Sequence, residues 1–314
     1  MTVRVFPDGK YLMQFRSQGD KKDIYDNDFK LPLEGDWTSE ITKKENSNNE
    51  TIHIISTEAF LLGKTIFHPS SEGPSPVRHP INVKKINKIF STSYGLKKVF
   101  EGRRINRKYP LLAQAIADGL ADSTNNLVET EIIMYCLRMG MNDLEKTNQL
   151  ESLLKERILN HFKGVFYKAE EEENLFRVLG NNNNSNEGSF ILPIELIRTQ
   201  FSPFELLLPP NFIEKCIKAI GPYINEANIT IKLHDDTFKF AGILPGLITE
   251  SNADSIANDT LWWSFNAEDF INDDYIIEAA SIVYHPKRIQ IAIIAGSLLT
   301  LSALFFISRK RKSQ

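Results

Sequence analysis

The hydrophobic pattern of the chain is dominated by one apolar run, residues 289–307 (IQIAIIAGSLLTLSALFFI), which begins at Ile289, ends at Ile307 and contains no charged residue. As an α-helix rising about 1.5 Å per residue, this run would extend roughly 28 Å, close to the ~30 Å hydrocarbon thickness of a bilayer. A buried core helix is the alternative, but such a helix normally carries a polar stripe. The pattern therefore predicts a single-pass transmembrane anchor.

The first hundred residues alternate between apolar and polar positions, as strands do. Val3 and Val5 precede the turn sequence Pro7-Asp8-Gly9, and Tyr11, Met13 and Phe15 follow it, which predicts a hairpin. Further strands are predicted over residues 51–56, 83–90 and 94–100, and residues 59–67 are predicted as a short helix or strand. The polar segment 34–50 and the proline-rich segment 68–80 are predicted as irregular chain.

The period changes to helical spacing at Tyr109. Helices are predicted around residues 111–116, over 127–139, over 144–166 and over 211–220, where Gly221-Pro222 is expected to end the last one. The segment 170–188, which contains GNNNNSNEG, is predicted as a solvated loop. Alternation returns over residues 228–233, 238–241, 260–265 and 275–284.

This order of elements predicts an α+β fold. We expect an antiparallel sheet built from N- and C-terminal strands, a central helical block and one C-terminal transmembrane helix. The corresponding segments are residues 1–108, an N-terminal β-rich part; residues 109–224, the helical block; residues 225–286, a membrane-proximal β part; and residues 287–314, the anchor and its basic tail.

Charge bears on the partners and on the topology. The chain has a formal net charge of −3, but residues 287–314 hold six basic and no acidic side chains, so residues 1–286 carry −9. An acidic soluble part argues against nucleic-acid binding, which depends on phosphate neutralisation. The positive-inside rule favours a cytoplasmic tail and an extracytoplasmic domain. That topology needs an export signal, and the first residues lack the apolar core of one. The alternative is a tail-anchored protein with its domain in the cytoplasm.

Charges of opposite sign are also segregated along the chain. Residues 78–108 contain ten Lys and Arg and one acidic residue, whereas residues 240–286 contain eight acidic residues and no Lys or Arg. We predict that the basic stretch binds anionic lipid headgroups or an acidic protein. The predicted partner-binding residues are Lys84, Lys85, Lys88, Lys97, Lys98, Arg103, Arg104 and Trp263. The alternative is that the two stretches are solvated faces that pair with each other.

Trp262 and Trp263 are expected on opposite faces of one strand, with one side chain in the core and the other at the lipid interface or a partner. The run from Leu244-Pro245-Gly246 through Asn252 to the NDTLWWSF sequence resembles the membrane-proximal β segment of LppM-like bacterial envelope proteins. That resemblance implies an exported, envelope-facing domain ahead of a C-terminal transmembrane helix with a basic tail. The helical insert at 109–220 is not part of the family pattern.

No sequence motif for catalysis or for binding a cofactor is present: the chain lacks a phosphate-binding glycine loop, G-x-S-x-G, H-E-x-x-H and C-x-x-C. The acidic group Glu268, Asp269, Asp273 and Asp274 is a candidate Ca²⁺ site, but a solvated turn is the favoured interpretation. His234-Asp235-Asp236 is similarly favoured as a turn over a metal or catalytic cluster, and His68 and His79 lack nearby ligands. Cys136 and Cys216 are predicted as buried free thiols, with a single disulfide as the alternative.

The sequence thus predicts a membrane-anchored, non-enzymatic interaction or assembly protein of the bacterial cell envelope, without a cofactor. A membrane-tethered hydrolase and a hydrophobic-ligand-binding protein are the alternatives, because catalytic groups need not be close in sequence.

Overall fold

The computed structural model describes residues 1–19, 31–32, 35–45, 51–67, 77–118, 126–147, 150–171, 194–233 and 236–312. Within these ranges the strands are β1 (Thr2–Val5), β2 (Lys10–Gly19), β3 (Thr38–Glu45), β4 (Thr51–Leu62), β5 (Lys64–Thr65), β6 (Ile81–Asn87), β7 (Ser91–Phe100), β8 (Thr237–Ile243), β9 (Leu247–Ser251), β10 (Ser255–Ala257), β11 (Thr260–Asn266) and β12 (Tyr275–Tyr284). The helices are α1 (Ile105–Lys108), α2 (Pro110–Ala117), α3 (Asn126–Lys146), α4 (Ser152–Glu171), α5 (Ile194–Gln200), α6 (Phe212–Lys232) and α7 (Pro286–Lys312). Short 3₁₀ helices occur at Ser202–Leu207 and Ala267–Asp269.

The N- and C-terminal strands share one seven-stranded sheet with the order β10-β11-β8-β1-β2-β4-β3. β1 and β2 form the predicted hairpin, in which Gly9 adopts a φ of +94° in the turn. β1 also pairs with β8, in parallel, across more than two hundred residues of sequence. The other pairs in this sheet are antiparallel.

A second, five-stranded antiparallel sheet has the order β5-β6-β7-β12-β9. Its longest pair is β7 with β12, whose register runs from Phe100 opposite Tyr275 to Ser91 opposite Tyr284. Apolar side chains from both sheets form one buried cluster, so the two sheets pack face to face as a β-sandwich.

The helical block has a separate buried cluster formed mainly by α3, α4 and α6. The C-terminal end of α6 joins this block to the sandwich, because Ile229 in its last turn and Leu233 directly after it belong to the sandwich core. Ile231, between them, packs against the helical cluster. The predicted strand over 228–233 is therefore wrong: a helix buried on two sides produced the alternating apolar pattern.

Three further boundaries differ from the predictions. α6 continues through Gly221 and Pro222 instead of ending there. Residues 38–45, within the predicted loop 34–50, form β3, a polar edge strand whose apolar alternation is too weak to detect. The start of the helix predicted over 144–166 belongs to α3, and α4 begins at Ser152. Residues 59–67 are strand over most of their length, and most of the loops predicted at 68–80 and 170–188 lies outside the described residues.

The fold class is confirmed: the protein is α+β, with antiparallel-rich sheets that combine N- and C-terminal strands, a helical block inserted between β7 and β8, and a C-terminal apolar helix. In the part of the chain that the structure describes, one helix, α7, is long and apolar enough to cross a membrane, over Pro286–Phe305. None of that stretch packs inside the protein.

Candidate membrane-proximal binding site

The turn between β6 and β7, residues 88–90, is hydrogen-bonded to the start of α7. The His285 amide donates to the Phe90 carbonyl at 2.8 Å, and the His285 Nε2 lies 2.9 Å from the Thr92 hydroxyl. The Arg288 guanidinium reaches the Ile89 carbonyl at 3.4 Å. These contacts follow from the register of the sheet, since β7 begins opposite the last residue of β12. The turn is thereby fixed beside the first turn of the apolar helix.

This turn exposes apolar side chains. Ile89 is 75% exposed and Phe90 is 43% exposed. Ile86 on β6, Leu247 at the start of β9 and Tyr284 at the end of β12 are also largely exposed. Single exposed apolar residues are ordinary on protein surfaces, but here they occur on strand ends and a turn next to the apolar helix.

Basic side chains surround the same turn. Lys84 and Lys88 are exposed, as are Lys287 and Arg288 at the start of α7. The methylene chain of Lys85 lies over Gly9 in the β1–β2 turn, where an added Cβ would be 3.2 Å from the Lys85 Cδ. Lys88 therefore lies in the turn beside the start of α7, whereas Lys84 and Lys85 lie on β6 opposite Gly95 and Tyr94, four and three positions along β7 from Ser91.

Two other predicted basic residues are paired with the acidic stretch. The Lys97 amine lies 2.5 Å from a Glu278 carboxylate oxygen on β12. The Arg104 guanidinium contacts the carboxylates of Asp273, at 3.1 Å, and Asp274, at 2.8 Å. The alternative interpretation of the charge pattern, in which the basic and acidic stretches pair with each other, thus holds for Lys97 and Arg104. Such exposed pairs contribute ~0–1 kcal/mol each.

Lys98 does not belong to the basic surface, which corrects its predicted exposure. Its side chain is fully buried inside the sandwich, where the amine lies 2.9 Å from the His79 Nδ1 and donates to the His79 carbonyl at 3.2 Å. The rings of Phe67 and Phe100 have centroids 5.1 and 4.9 Å from the amine. Burial lowers the pKa of Lys98 well below its usual value, and burial together with the Lys98 amine does the same to the pKa of His79.

Arg103 is also buried rather than available to a partner. Its Nε donates to the Thr230 hydroxyl at 3.0 Å and its Nη2 donates to the Glu226 carbonyl at 2.9 Å, both on α6. Burial lowers the pKa of Arg103, but the ordinary arginine value is high enough for the side chain to stay charged at neutral pH. This residue therefore links the sandwich to the helical block.

The two tryptophans occupy opposite faces of β11, as predicted. Trp263, however, was the one predicted to contact a partner, and it is the one in the core. Trp263 is buried and Trp262 is 42% exposed. The Trp263 indole donates to the Asn252 Oδ1 at 3.0 Å, and that oxygen also accepts from the Glu278 amide at 2.9 Å. The Asn252 side-chain amide donates to the Ile276 carbonyl at 2.7 Å. Asn252, within the segment that carries the family resemblance, thus connects β11 of one sheet to β12 of the other.

Lys98 and Trp263 were predicted to bind a partner, but the sequence contained a signal that both belong to the core. Lys98 shares its side of β7 with Leu96 and Phe100, and Trp263 shares its side of β11 with Leu261 and Phe265, all of which are buried. Strand parity therefore places both side chains inward. No local pattern could place Arg103, because its partners are about 125 positions away.

Three of the four acidic candidates, Asp269, Asp273 and Asp274, have structural partners. The Asp269 carboxylate accepts from the Asn266 amide at 2.9 Å in a capping box, and Asp273 and Asp274 bind Arg104. Among the described residues, no group of three or more His, Cys, Asp or Glu side chains is arranged to hold a metal ion. His161 packs against the rings of Phe162 and Phe204, whereas His68, His234 and Asp235 lie outside the described residues.

Both cysteines are buried free thiols, as predicted. Burial raises the pKa of each thiol to about 12, with the Glu226 carboxylate adding to the effect at Cys136. At neutral pH these thiols are therefore protonated and poorly nucleophilic.

Comparison of the chain with protein-family models, with curated proteins and with solved structures gives no match.

Proposed function

We propose that this chain is a single-pass membrane protein whose soluble part faces the cell envelope and acts in non-enzymatic interaction or assembly. The observation that carries the proposal is α7, an apolar helix that follows β12 directly and whose candidate membrane-spanning stretch is not buried in the protein. In water, so much exposed apolar surface would cost about 25 cal/mol per Å², whereas a bilayer removes the cost. The resemblance to LppM-like envelope proteins supports the same assignment.

Charge supports an extracytoplasmic position for the soluble part. Four basic residues follow the apolar run, at positions 309–312, and two precede it. Basic residues near a span favour the cytoplasmic side, so the short tail is the segment expected to stay inside. A cytoplasmic domain on a tail anchor is the competing topology.

The test is protease protection in sealed right-side-out vesicles, with the native gene and separate tags at the N-terminal strand and the C-terminal tail. We expect digestion of the domain and protection of the tail. Protection of the domain would overturn the envelope assignment and support tail anchoring. A variant with Ile294→Arg and Leu298→Arg should leave the membrane fraction, since each central Arg disfavours insertion by about 2.5–3.5 kcal/mol. Leu153→Arg, on the exposed face of α4, serves as the matched control and should remain in membranes.

A further inference from the structure

The β6–β7 turn and the residues around it form a surface that we call the membrane tip: Lys84, Ile86, Lys88, Ile89, Phe90, Lys287 and Arg288. We infer that the membrane tip lies in the headgroup layer of the bilayer and binds anionic lipid headgroups. The inference rests on the proposed membrane anchor, and it names the ligand and the residues that the proposed function leaves open.

The first argument is depth. His285 is hydrogen-bonded to the β6–β7 turn. It lies four positions before Ile289, the first residue of the apolar run. Four residues of α-helix rise about 6 Å. The headgroup layer on each side of a ~30 Å hydrocarbon core is roughly 5–7 Å thick, since the whole bilayer measures about 40–45 Å. If α7 spans the bilayer, the turn therefore lies within this layer.

The second argument is the chemistry that the tip presents at that depth. Ile89 and Phe90 are exposed apolar side chains that the acyl boundary would cover. Residues 84–90 and 284–289 together contain five Lys and Arg and no acidic residue. Lysine and arginine bind phosphate through charge-assisted hydrogen bonds. The tip thus matches a layer that is apolar on its inner side and anionic on its outer side.

The third argument separates the tip from the rest of the basic stretch. Lys97 and Arg104 are paired with acidic side chains of the same chain, and Lys98 and Arg103 are buried. The bilayer is already attached to the tip through α7, so it covers the tip without a separate binding event. An acidic protein would instead have to compete with lipid for the same lysines. These features favour lipid over a protein as the occupant.

The test uses the full chain in nanodiscs, with the environment-sensitive fluorophore NBD on an introduced cysteine. Ile89→Cys reports on the tip, and Leu153→Cys is its matched control, because Leu153 is 74% exposed but lies on the helical block. Leu298→Cys reports on the apolar helix. The buried Cys136 and Cys216 stay unlabelled in the folded protein. Nanodiscs contain phosphatidylcholine alone or mixed with phosphatidylglycerol, with and without a lipid-borne quencher.

We expect the probes at 89 and 298 to be blue-shifted and quenched by the lipid, and the probe at 153 to report water. The double substitution Lys84→Glu, Lys88→Glu should lower the ratio of lipid-bound to water-exposed tip in anionic nanodiscs roughly 25-fold, or about fivefold for each lysine. The effect should be much smaller in phosphatidylcholine alone. Lys43→Glu with Lys44→Glu, on the exposed edge strand β3 at the other end of the sandwich, should change nothing.

Each contrary outcome has a distinct meaning. A probe at 89 that reports water while 298 is quenched would overturn this inference and leave the anchor intact, whereas an unquenched probe at 298 would overturn the anchor itself. If quenching at position 89 is the same in anionic and in neutral nanodiscs, and is also unchanged by the two Lys→Glu substitutions, the inference that the tip binds anionic headgroups is wrong. If the probe on the tip reports water, and the same two Lys→Glu substitutions abolish binding of an acidic protein, then the tip is a protein-docking surface.

Discussion

The amine of Lys98 lies 2.9 Å from the Nδ1 of His79 in the interior of the β-sandwich, where both side chains are almost wholly buried. The His79 ring stacks on Phe67 and Phe100, with centroid distances of 5.0 and 5.7 Å. A buried charge is costly, and burial accordingly lowers the pKa of both Lys98 and His79. The sandwich thus contains a pair of bases that favour their neutral forms.

Lys98→Met should stabilise the protein at pH 7 and flatten its pH dependence. The folded pKa of Lys98 lies well below its unfolded value of about 10.4, so the unfolded chain binds more protons between the two values. Stability therefore rises with pH through this window. Below the folded pKa the amine is charged in both states, and the destabilisation caused by burying that charge is fully present. Removing the amine should add roughly 1–3 kcal/mol to the free energy of unfolding at pH 7.

The measurement is urea unfolding of the full chain in nanodiscs between pH 7 and pH 10. Lys97→Met is the matched control, since the adjacent Lys97 is exposed and pairs with Glu278 at the surface. It should change stability by less than about 1 kcal/mol. Parallel pH curves for wild type and Lys98→Met would show that the buried amine is not the source of the slope.

Asn252→Ala should be strongly destabilising although the side chain is small. Its Oδ1 accepts from the Trp263 indole and from the Glu278 amide, and its Nδ2 donates to the Ile276 carbonyl. Alanine removes all three bonds and leaves the buried indole N–H without its acceptor, which costs about 1–3 kcal/mol for that group alone. The expected loss is roughly 2–4 kcal/mol in urea unfolding.

The control for this substitution is Asn160→Ala, on the exposed face of α4, where alanine favours the helix and stability should change by less than about 1 kcal/mol. Equal effects at Asn252 and Asn160 would mean that the bridge between the sheets contributes little to stability.

Gly246→Ala should be destabilising through backbone crowding in the turn that leads from β8 to β9. Gly246 has a φ of +84°, and an added Cβ would lie 2.3 Å from the Ile282 carbonyl oxygen. The chain there must shift, so we expect a loss of about 3 kcal/mol or more. Gly63 also has a positive φ, of +70°, but an added Cβ meets nothing within 4 Å. Gly63→Ala should therefore cost only about 1–2 kcal/mol, and equal losses at both positions would refute the steric explanation.

The sequence predicted the fold class because its strands and helices have distinct hydrophobic periods, as in the β1–β2 hairpin and in β12. It failed where one helix packs against two parts of the fold. At the C-terminal end of α6, Ile229 and Leu233 pack in the sandwich core and Ile231 packs against the helical block, so apolar residues alternate there as they do in a strand. β3 was missed for the opposite reason, since an edge strand that is polar on both faces carries no period.

The predicted basic surface was divided by the fold in a way that composition cannot show. Lys84, Lys85 and Lys88 are exposed on β6 and the turn after it, but Lys98 and Arg103 are buried. Charge counts treat these residues alike, and strand parity separates Lys98 alone. The acidic partners of Lys97 and Arg104 come from β12 and the turn before it, about 170–180 positions later. Pairing at that distance depends on the sheet register.

Arg103→Met should weaken the junction between the sandwich and the helical block. The guanidinium donates to the Thr230 hydroxyl and to the Glu226 carbonyl near the end of α6, and it is buried between these two parts of the chain. Methionine keeps the apolar stem of the side chain but removes both donors, so the Thr230 hydroxyl loses the bond it accepts, while the Glu226 carbonyl still accepts from the Thr230 hydroxyl at 2.8 Å. Hydrogen bonds to a charged group contribute about 1.5–3 kcal/mol each, and the desolvation cost of the guanidinium is removed with it, so we expect a loss of roughly 1–3 kcal/mol.

Hydrogen exchange locates where this loss acts. In Arg103→Met the C-terminal turns of α6, around Thr230, should exchange faster, while the paired strands β7 and β12 keep their protection. Arg107→Met is the matched control, because Arg107 is exposed on the adjacent α1 and should leave both regions unchanged. A uniform increase in exchange across the sandwich would mean that Arg103 supports the whole fold. An unchanged α6 would mean that other contacts, such as those of Ile229 and Leu233 with the sandwich core, hold the junction by themselves.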